Sequence, residues 1–561
     1  MNLSIKYLIL FLFLLTVFAA NGVCQQQTAP DKYFIRFTDK QHSPYSISQP
    51  EKFLSPKALK RRQKFNIPVT TQDLPVSALY TDSLKKLGYI ILTTSKWFNA
   101  ATLYIPDSAK LAQLSGLDFI KHENDSIPTQ LFAQLKNKKK FIDKLKTKII
   151  SDTTLLDYGN AARQIEMVRG NILHNHGYLG QGMTIAVIDA GFFRVDSLPA
   201  FDSLRFNHQI LGTRNLVDNK ISVYTTHPHG MMVLSILGGN IPKEIIGTAP
   251  KADYWLLQSE DASSEYLIEE DNWVAAAEFA DSAGADVITS SLGYTQFNDP
   301  AQNLTYADMN GKTARVSIGA SIAASKGILV VVSAGNEGND PWKYIPAPGD
   351  ADSVLTVGAV DSLGRYAYFS SVGPTSDGRI KPNVVAMGIA TAIESPFGFV
   401  SSGNGTSFSA PVIAGLSACL WQAHPALTNM DVLQSVEQSS SQFFSPDSLL
   451  GYGIPDFASA AGILQFIREY KNDSSFIRVF PNPFTNKLTL EFQSGDYAET
   501  YIQIYNIKGQ VIYTDKKNIK RHTLIHLDVR EVKHLAAGIY LLKITNGDQV
   551  HQVKLVRTNA P

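Results

Sequence analysis

Two apolar runs near the middle of the chain constrain its fold most, because each ends abruptly in polar residues. Residues 184–188 read Thr-Ile-Ala-Val-Ile and run into Asp189, and residues 327–332 run into the polar loop 333–338, which contains Asn336. Continuous β-branched runs are typical of strands buried in a parallel sheet. Because sites in open α/β sheets form at the carboxyl ends of the strands, Asp189 and Asn336 are candidate functional residues.

Two other polar residues precede stretches with a helical pattern. His229 is followed by Gly230 and the apolar run 231–237, and Ser407 lies between small residues ahead of the run 412–421. The N-terminus of a helix offers free N–H groups and a positive dipole end, which suits the negative charge that develops during acyl transfer. An aspartate, a histidine, an asparagine and a serine thus follow one another along the chain.

The order of these four residues and the motifs around them resemble the subtilases, the subtilisin-like serine peptidases, over roughly residues 155–468. The resemblance implies an α/β core with a doubly wound, mostly parallel sheet. It also implies that Ser407 attacks the peptide carbonyl, that His229 takes the serine proton, and that Asp189 orients the histidine. The Asn336 side chain and the Ser407 N–H would then bind the oxyanion.

The resemblance further implies two walls of the pocket for the substrate residue that precedes the scissile bond. The walls are two tripeptides, Ser291, Leu292, Gly293 and Ser333, Ala334, Gly335. Both are small and largely apolar, and neither carries a carboxylate. We therefore expect an apolar or broad preference at this position of the substrate.

Alternatives exist for the histidine, and two positions depart from the family pattern. His227 competes with His229 for the role of base, although the glycine after His229 favours the latter. The His-x-His pair could also bind zinc, but no further cysteine, histidine or carboxylate stands at a zinc-like spacing, so we predict no metal there. Ala190 replaces the usual serine or threonine after the aspartate, and Met231 replaces a threonine. We expect these departures to affect the catalytic rate and the specificity more than the presence of activity.

The length and composition of the chain limit its domain number and its classes of partner. The 561 residues are too many for one core and predict three or four domains. A net charge of +1 and a charged fraction of 18% give no strong electrostatic field that would attract nucleic acid or a membrane surface. With only Cys24 and Cys419, a disulfide framework is excluded. We expect no organic cofactor, while structural calcium, common in the family, has no residues assigned to it.

The first 154 residues contain three predicted segments. Lys6 precedes an apolar run at 7–20, which predicts a signal peptide at 1–24 and is too short to span a membrane. Residues 25–130 resemble the family's propeptide, with a ferredoxin-like α+β fold. Their pattern predicts strands at 33–37, 89–93, 100–105 and 119–122 and helices at 56–65 and 107–114. The lysine-rich segment 131–154 is interpreted as a cleavable linker, in preference to a nucleic-acid patch.

Residues 476–561 alternate apolar and polar residues between turns, which predicts an antiparallel sandwich of six or seven strands. The phrases at 479–483, 505–509 and 535–540 resemble the C-terminal sorting domain of type IX secretion substrates. The resemblance implies export across the outer membrane of a Gram-negative bacterium. A carbohydrate-binding or adhesion module of similar fold is the alternative.

Together these patterns predict an exported serine endopeptidase made as a precursor. Its expected partners are polypeptide substrates, its own propeptide and the type IX secretion machinery; no nucleic acid and no membrane span are expected. The sequence is also compatible with two other functions. One is a surface binding protein that keeps the scaffold without catalysis, and the other is a processing enzyme of narrow specificity.

Overall fold

The computed structural model describes residues 26–121, 155–472, 477–482, 484–493, 499–518, 524–529, 531–546 and 549–558. The predicted signal peptide and the lysine-rich linker lie outside these ranges. The chain divides into two compact units between Leu464 and Gln465. The first unit contains an N-terminal domain, residues 26–121, and a central domain that begins at residue 155. Among the helices in the described ranges, none is long and apolar enough to cross a bilayer.

The N-terminal domain is a four-stranded antiparallel sheet in the order β1-β2-β4-β3 with three helices. Its elements are β1 Gln26–Ala29, β2 Lys32–Arg36, α1 Pro56–Lys64, α2 Ala78–Lys86, β3 Ile90–Ser95, β4 Ala100–Tyr104 and α3 Ser108–Leu114. Helix α1 begins where the sequence predicts it, because the Ser55 hydroxyl accepts the N–H of Ala58 at 3.1 Å and Pro56 occupies the first turn. Ile35, Leu84 and Leu103 form part of the domain's own core.

One predicted strand of this domain is nearly absent. Of the predicted strand at 119–122, the described residues retain a single bridge between Ile120 and Phe37. The reason is that β1 already pairs with the outer edge of β2, where Gln26 lies opposite Phe34. The remaining strands and helices follow the expected ferredoxin-like order.

The central domain is built on a seven-stranded sheet in the order β13-β12-β11-β10-β5-β9-β6, and every pairing in it is parallel. Its elements are α4 Ala162–Glu166, α5 Gly170–Asn175, β5 Thr184–Asp189, α6 Asp202–Phe206, β6 Ile210–Asn215, α7 His229–Gly238, β7 Asn240–Ile241, β8 Ile245–Ile246, β9 Asp253–Gln258, α8 Ile268–Ala283, β10 Val287–Ser290, α9 Arg315–Ser325, β11 Leu329–Ser333, β12 Leu355–Val360, β13 Val384–Met387, β14 Thr391–Glu394, β15 Val400–Gly403, α10 Thr406–Ala423, α11 Asn429–Gln438 and α12 Phe457–Asn472.

Helices cover both faces of this sheet. Strands β5 and β11 are buried along their whole length, as their apolar runs predict. Alternate side chains of a strand point to opposite faces, and Ala186 and Ile188 share an apolar cluster with Trp273 of α8 and Val316 of α9. Outside that cluster, α7 packs against α10, which lies across β10 to β13. The doubly wound α/β prediction is therefore confirmed.

The strand order brings the predicted site residues to one edge. Strands β5, β10 and β11 are neighbours in the sheet. Asp189 ends β5, Ser291 follows β10, and Ser333 ends β11 on the way to Asn336. Because the strands are parallel, all of these residues lie at the carboxyl edge, where α/β sheets carry their sites.

The C-terminal domain consists, within the described residues, of seven antiparallel strands in two sheets, ordered β16-β17-β20 and β19-β18-β21-β22. The strands are β16 Ile477–Phe480, β17 Leu488–Gln493, β18 Glu499–Asn506, β19 Val511–Asn518, β20 Leu524–Val529, β21 Gly538–Asn546 and β22 Gln549–Arg557. Leu490 from one sheet and Ile502 and Leu542 from the other are buried in one common core. This arrangement is the sandwich that the alternating pattern predicts.

Candidate active site

The carboxylate of Asp189 is fully buried at the end of β5. Its Oδ1 accepts a hydrogen bond from Nδ1 of His229 at 2.7 Å and another from the N–H of Ala190 at 2.8 Å. Because an ionised carboxylate can only accept, the neutral ring carries its proton on Nδ1 and leaves Nε2 as a base. Among the described residues Oδ2 of Asp189 has no hydrogen-bond partner, and Ala190 offers no hydroxyl at the position where the family pattern has one.

The close approach of α7 to the end of β5 depends on Gly230. His229 is the first residue of α7 and Gly230 the second. A Cβ built on Gly230 would stand 2.8 Å from the Cβ of Asp189 and 2.5 Å from the carbonyl oxygen of Gly191. The bare glycine backbone thus lets the helix pack directly on the strand end, which brings His229 within hydrogen-bond reach of Asp189.

Opposing effects set the pKa of His229. Burial disfavours the imidazolium, but the charge of Asp189 and the hydrogen bond to it favour the charged ring, and the net result is a pKa above the ordinary 6.5. The pKa of His227 is lowered instead, because of partial burial and then the nearby charge of His229. Nδ1 of His227 accepts the N–H of His229 at 3.3 Å. The ring beside Asp189 is therefore that of His229, which separates the two histidines that the sequence left in competition.

Ser407 is the second residue of α10, in the first turn, where helical N–H groups have no carbonyl partner within the helix. Its hydroxyl donates to the carbonyl oxygen of Ser291 at 3.5 Å, a long and weak hydrogen bond, and not to His229. The aromatic ring of the next residue, Phe408, lies 6.1 Å from the ring of His229, centroid to centroid. The residue next to the serine thus lies against the ring of His229, while the serine hydroxyl is turned toward the strand edge.

Asn336 follows β11 and is solvent-exposed. Its carboxamide oxygen accepts hydrogen bonds from the N–H of Thr406 at 2.9 Å and from its hydroxyl at 3.0 Å. The same hydroxyl accepts the N–H of Gly335 at 3.1 Å. Because its oxygen is held by the residue before Ser407, the amide presents its NH₂ group as a donor. Thr406 was not among the sequence-predicted residues.

The two predicted pocket walls both approach the ring of Pro346. A Cβ on Gly293 would stand 2.6 Å from Cγ of Pro346, and a Cβ on Gly335 would stand 2.6 Å from its Cδ. Gly335 also has a φ of +94°, a conformation that other residues rarely adopt. Ser291 is tied to Ser407, because its hydroxyl donates to the carbonyl oxygen of Ser407 at 3.0 Å. Leu292 is half-buried, and Ser333 and Ala334 are buried at the end of β11.

Three glutamates missed by the sequence analysis lie together near this edge. One carboxylate oxygen each from Glu260, Glu265 and Glu269 lies within 4.8 Å of the others, the one such group of potential metal ligands in the described ranges. Burial, followed for Glu269 by the charges of the other two, raises the pKa of these carboxyls. The hydroxyl of Tyr294 donates to Glu260. The density of acidic residues between 260 and 271 was the available signal, and carboxylates are the ligand type that calcium takes.

Comparisons with known protein families match all three folded domains. Residues 180–453 match the subtilase family, peptidase S8. Residues 32–144 match the peptidase S8 propeptide domain of Bacteroidota. Residues 478–558 match the secretion system C-terminal sorting domain. The N-terminal, central and C-terminal domains are hereafter called the propeptide, peptidase and sorting domains.

The individual relatives that match the chain include subtilisins. Subtilisin NAT of Bacillus subtilis subsp. natto is 29% identical over 303 residues, which are 53% of this chain and 70% of that protein. Subtilisin of Bacillus pumilus is 28% identical over 303 residues, 53% of this chain and 97% of that protein. Among solved structures, the crystal structure of MycP1 with its N-terminal propeptide removed is 23% identical, covers 53% of this chain and 96% of its own, and has a TM-score of 0.42. The chain therefore contains a domain of the subtilase family of serine endopeptidases at residues 180–453, with a matching propeptide domain before it and a secretion sorting domain after it.

Proposed function

We propose that this chain is the precursor of an exported endopeptidase that cleaves proteins through an acyl-enzyme formed on Ser407. The observation that supports the proposal most is the meeting of Asp189, His229, Ser407 and Asn336 at one sheet edge. These residues come from four segments spread over the chain between residues 189 and 407. Their meeting supplies a nucleophile, a base, a group that orients the base, and an amide donor.

The proposed chemistry follows from these groups. Nε2 of His229 takes the proton of the Ser407 hydroxyl as Oγ attacks the scissile carbonyl carbon. The developing oxyanion is held by the NH₂ of Asn336 and the N–H of Ser407. The imidazolium, stabilised by Asp189, then gives its proton to the leaving amine, and water hydrolyses the acyl-enzyme by the same steps in reverse order.

One geometric step separates the observed side chains from this mechanism. The Ser407 hydroxyl has to turn from the carbonyl of Ser291 toward His229. The bond to be broken is long, at 3.5 Å, so the rotation costs little. Catalytic hydrogen bonds are commonly loose before substrate binds and tighten in the complex.

The pocket walls support an apolar or broad preference for the residue that precedes the scissile bond. Ser291, Leu292 and Gly293 on one side and Ser333, Ala334 and Gly335 on the other bring no charge to the pocket. Cleavage-site profiling on a peptide library tests this preference. A library dominated by cleavage after basic residues would refute it.

A fluorophosphonate probe tests the catalytic proposal without a known substrate. Processed wild-type protein is expected to be labelled, whereas Ser407→Ala and His229→Ala are expected to lose labelling. His227→Ala is the matched control, since among the described residues the hydrogen bond to Asp189 comes from His229 and not from this neighbouring histidine, and it should retain most of the labelling. Unlabelled, folded, propeptide-free wild type would favour the alternative of a non-catalytic binding protein.

The biological role is proposed at two further levels. The sorting domain supports export, and we infer passage across the outer membrane of a Gram-negative bacterium by the type IX machinery; secretion that persists after deletion of residues 476–561 would contradict this. Two roles then remain, general digestion and narrow processing. Activity on denatured casein would indicate the digestive role, and activity restricted to a few native co-exported proteins would indicate the processing role. The small uncharged walls favour the broader, digestive activity.

A further inference from the structure

Three carboxylates of the peptidase domain meet where β9 ends and α8 begins. Glu260 follows the end of β9, Glu269 is the second residue of α8, and Glu265 lies in the loop between them. One oxygen from each lies within 4.8 Å of the others. Oxygens that bind one calcium ion, each at about 2.3–2.6 Å from it, stand at most about 5 Å apart. The three oxygens are therefore close enough to be ligands of a single ion.

No basic side chain in the described ranges neutralises this cluster. None of the three glutamates forms an ion pair there with a lysine, an arginine or a histidine. The guanidinium of Arg315, at the start of α9, is paired instead with Asp271 at 2.7 Å. Three like charges this close together, in a largely buried position, repel one another unless a cation or protons neutralise them.

Hydrogen bonds already hold two of the carboxylates in position. The two oxygens of Glu269 accept the N–H groups of Asp261 and Tyr266, each at 3.1 Å, so this side chain braces both ends of the loop. Both hydrogen bonds to the Glu260 carboxylate are made to Oε1, and one of them comes from the hydroxyl of Tyr294. Oε2 of Glu260 is thus left without a donor among the described residues.

A fourth glutamate beside the cluster has a buried oxygen without a partner. Glu270 is 1% exposed, and its Oε2 accepts the N–H of Val316 at 3.1 Å. Its Oε1 has no hydrogen-bond partner among the described residues. Burial and then the charge of Glu270 raise the pKa of Glu265, so the two carboxylates lie within electrostatic reach of each other. Because a buried carboxylate oxygen without a partner is costly, this oxygen independently indicates a missing cation.

We propose that Glu260, Glu265 and Glu269 bind one calcium ion and that the carboxylate of Glu270 adds negative charge beside it. Calcium takes six to eight oxygens, and carbonyls and waters commonly complete a set of carboxylates. Glu265 is half-exposed, which gives the ion and its waters a path from solvent. Magnesium requires shorter distances and a near-octahedral set of ligands, so the site should prefer calcium.

A calcium ion at this position would connect the cluster to the proposed active site. Tyr294, which donates to Glu260, directly follows the predicted pocket wall 291–293. The charge of Glu260 is also one of the causes that raise the pKa of His229, after Asp189. An ion that binds the folded domain and not the unfolded chain stabilises the fold. We therefore expect calcium to stabilise the peptidase domain at the loop beside the pocket wall.

The experiment uses the full chain carrying Ser407→Ala, which prevents self-cleavage through the proposed nucleophile. After removal of bound metal with a chelator, calcium binding is measured by isothermal titration calorimetry and Tm by thermal melting. We expect saturable binding with a Kd of about 10⁻⁴ M, as in extracellular calcium modules. Calcium at about 100 times Kd should raise Tm by about 5 °C. The same concentration of magnesium should raise it less.

Glu265→Gln is the decisive variant. The main chain of Glu265 is held by Asn298, but its carboxylate makes no hydrogen bond in the described ranges, so the substitution removes only a ligand and a charge. Calcium affinity should fall at least about tenfold. Without calcium, Tm should stay the same or rise, because repulsion among the carboxylates is relieved. Glu166→Gln, at an exposed position of α4, is the matched control and should bind calcium as the parent does.

Unchanged calcium binding in Glu265→Gln would overturn the proposal, as would a parent that binds no calcium or gains equal Tm from magnesium. If Glu265→Gln does not fold, Glu265→Asp decides, since it keeps the charge but withdraws the oxygen; affinity equal to that of the parent then overturns the proposal. A calcium ion bound elsewhere would be unaffected by either variant. The inference does not rest on the proposed function, because every protein compared carries Ser407→Ala.

Discussion

The hydroxyl of Ser291 donates to the main-chain carbonyl of Ser407 at 3.0 Å, at a point where α10 cannot supply a donor of its own. Pro411 lies inside α10, four residues after Ser407. A proline has no N–H, so the usual helical hydrogen bond to the residue four positions earlier is missing. Ser291, the first residue of one predicted pocket wall, therefore also completes the first turn of the helix that carries the proposed nucleophile.

This relationship predicts a rescue by a second substitution. Ser291→Ala should lower kcat by about tenfold with a small change in KM, because the position of Ser407 loosens while the wall keeps its size. Pro411→Ala restores a helical N–H toward the Ser407 carbonyl. The double variant should regain most of the lost kcat, which steady-state kinetics on all four proteins measures as a coupling energy. Simple addition of the two single losses would show that Ser291 acts only as a wall.

Asn336 provides the second prediction. Asn336→Leu keeps a similar volume and removes the amide donor, so kcat should fall by about 10² to 10³ with KM nearly unchanged, the range found when one such donor is removed from a subtilisin. Thr406→Val removes the hydroxyl that holds the amide oxygen but leaves the amide in place. It should cause a smaller loss of kcat. A large rise in KM for Asn336→Leu would instead indicate a role in substrate binding.

The pH dependence of activity supplies the third prediction. Only the neutral form of His229 can accept the serine proton, and its pKa is raised above 6.5 by Asp189 in spite of burial. The acid limb of kcat/KM should therefore rise with pH through a midpoint above 6.5. In Asp189→Asn the raising charge is gone, so the midpoint should move to lower pH while kcat falls by about 10⁴, as in a chymotrypsin-type triad. An unchanged midpoint would mean that another group controls the limb.

Much of the proposed active site could be predicted from local patterns. Asp189 and Asn336 follow buried strands, and His229 and Ser407 begin apolar helices, so each signal is contained in a short stretch of sequence. A parallel sheet then places strand ends together, which makes their meeting a consequence of fold class. The glycine after His229 already favoured it over His227, whereas the hydrogen bond from His229 to Asp189 is visible only in the structure.

Contacts between distant segments could not be predicted in this way. Pro346 touches both pocket walls because β10 and β11 are neighbours in the sheet, and Ser291 reaches Ser407 because α10 packs across β10. The basic character of α1 was visible, but not that Arg61 would end on carbonyls of α8 and α9 more than 200 residues away. Such contacts depend on strand order and domain packing, which no short pattern encodes.

The last prediction concerns Gly230, the residue at which α7 packs against the end of β5. A methyl group at this position would stand 2.8 Å from the Cβ of Asp189 and 2.5 Å from the carbonyl oxygen of Gly191, closer than real Cβ contacts allow. Gly230→Ala must therefore displace α7, and His229 moves with it, away from Asp189. A displacement of about 1 Å at a catalytic group can cost about 10² in rate, and overpacking costs about 1–3 kcal/mol of stability.

We expect kcat/KM of Gly230→Ala to fall by about 10² together with a lower Tm in thermal melting. Gly538→Ala is the control, since a Cβ there meets nothing within 4 Å, and both quantities should stay at the parent values. A variant that is destabilised yet fully active would show that α7 can shift without breaking the hydrogen bond between His229 and Asp189. A variant that is inactive with an unchanged Tm would place the effect on the alignment of the ring alone. Only a combined loss supports Gly230 as the contact through which helix packing sets the geometry of the proposed base.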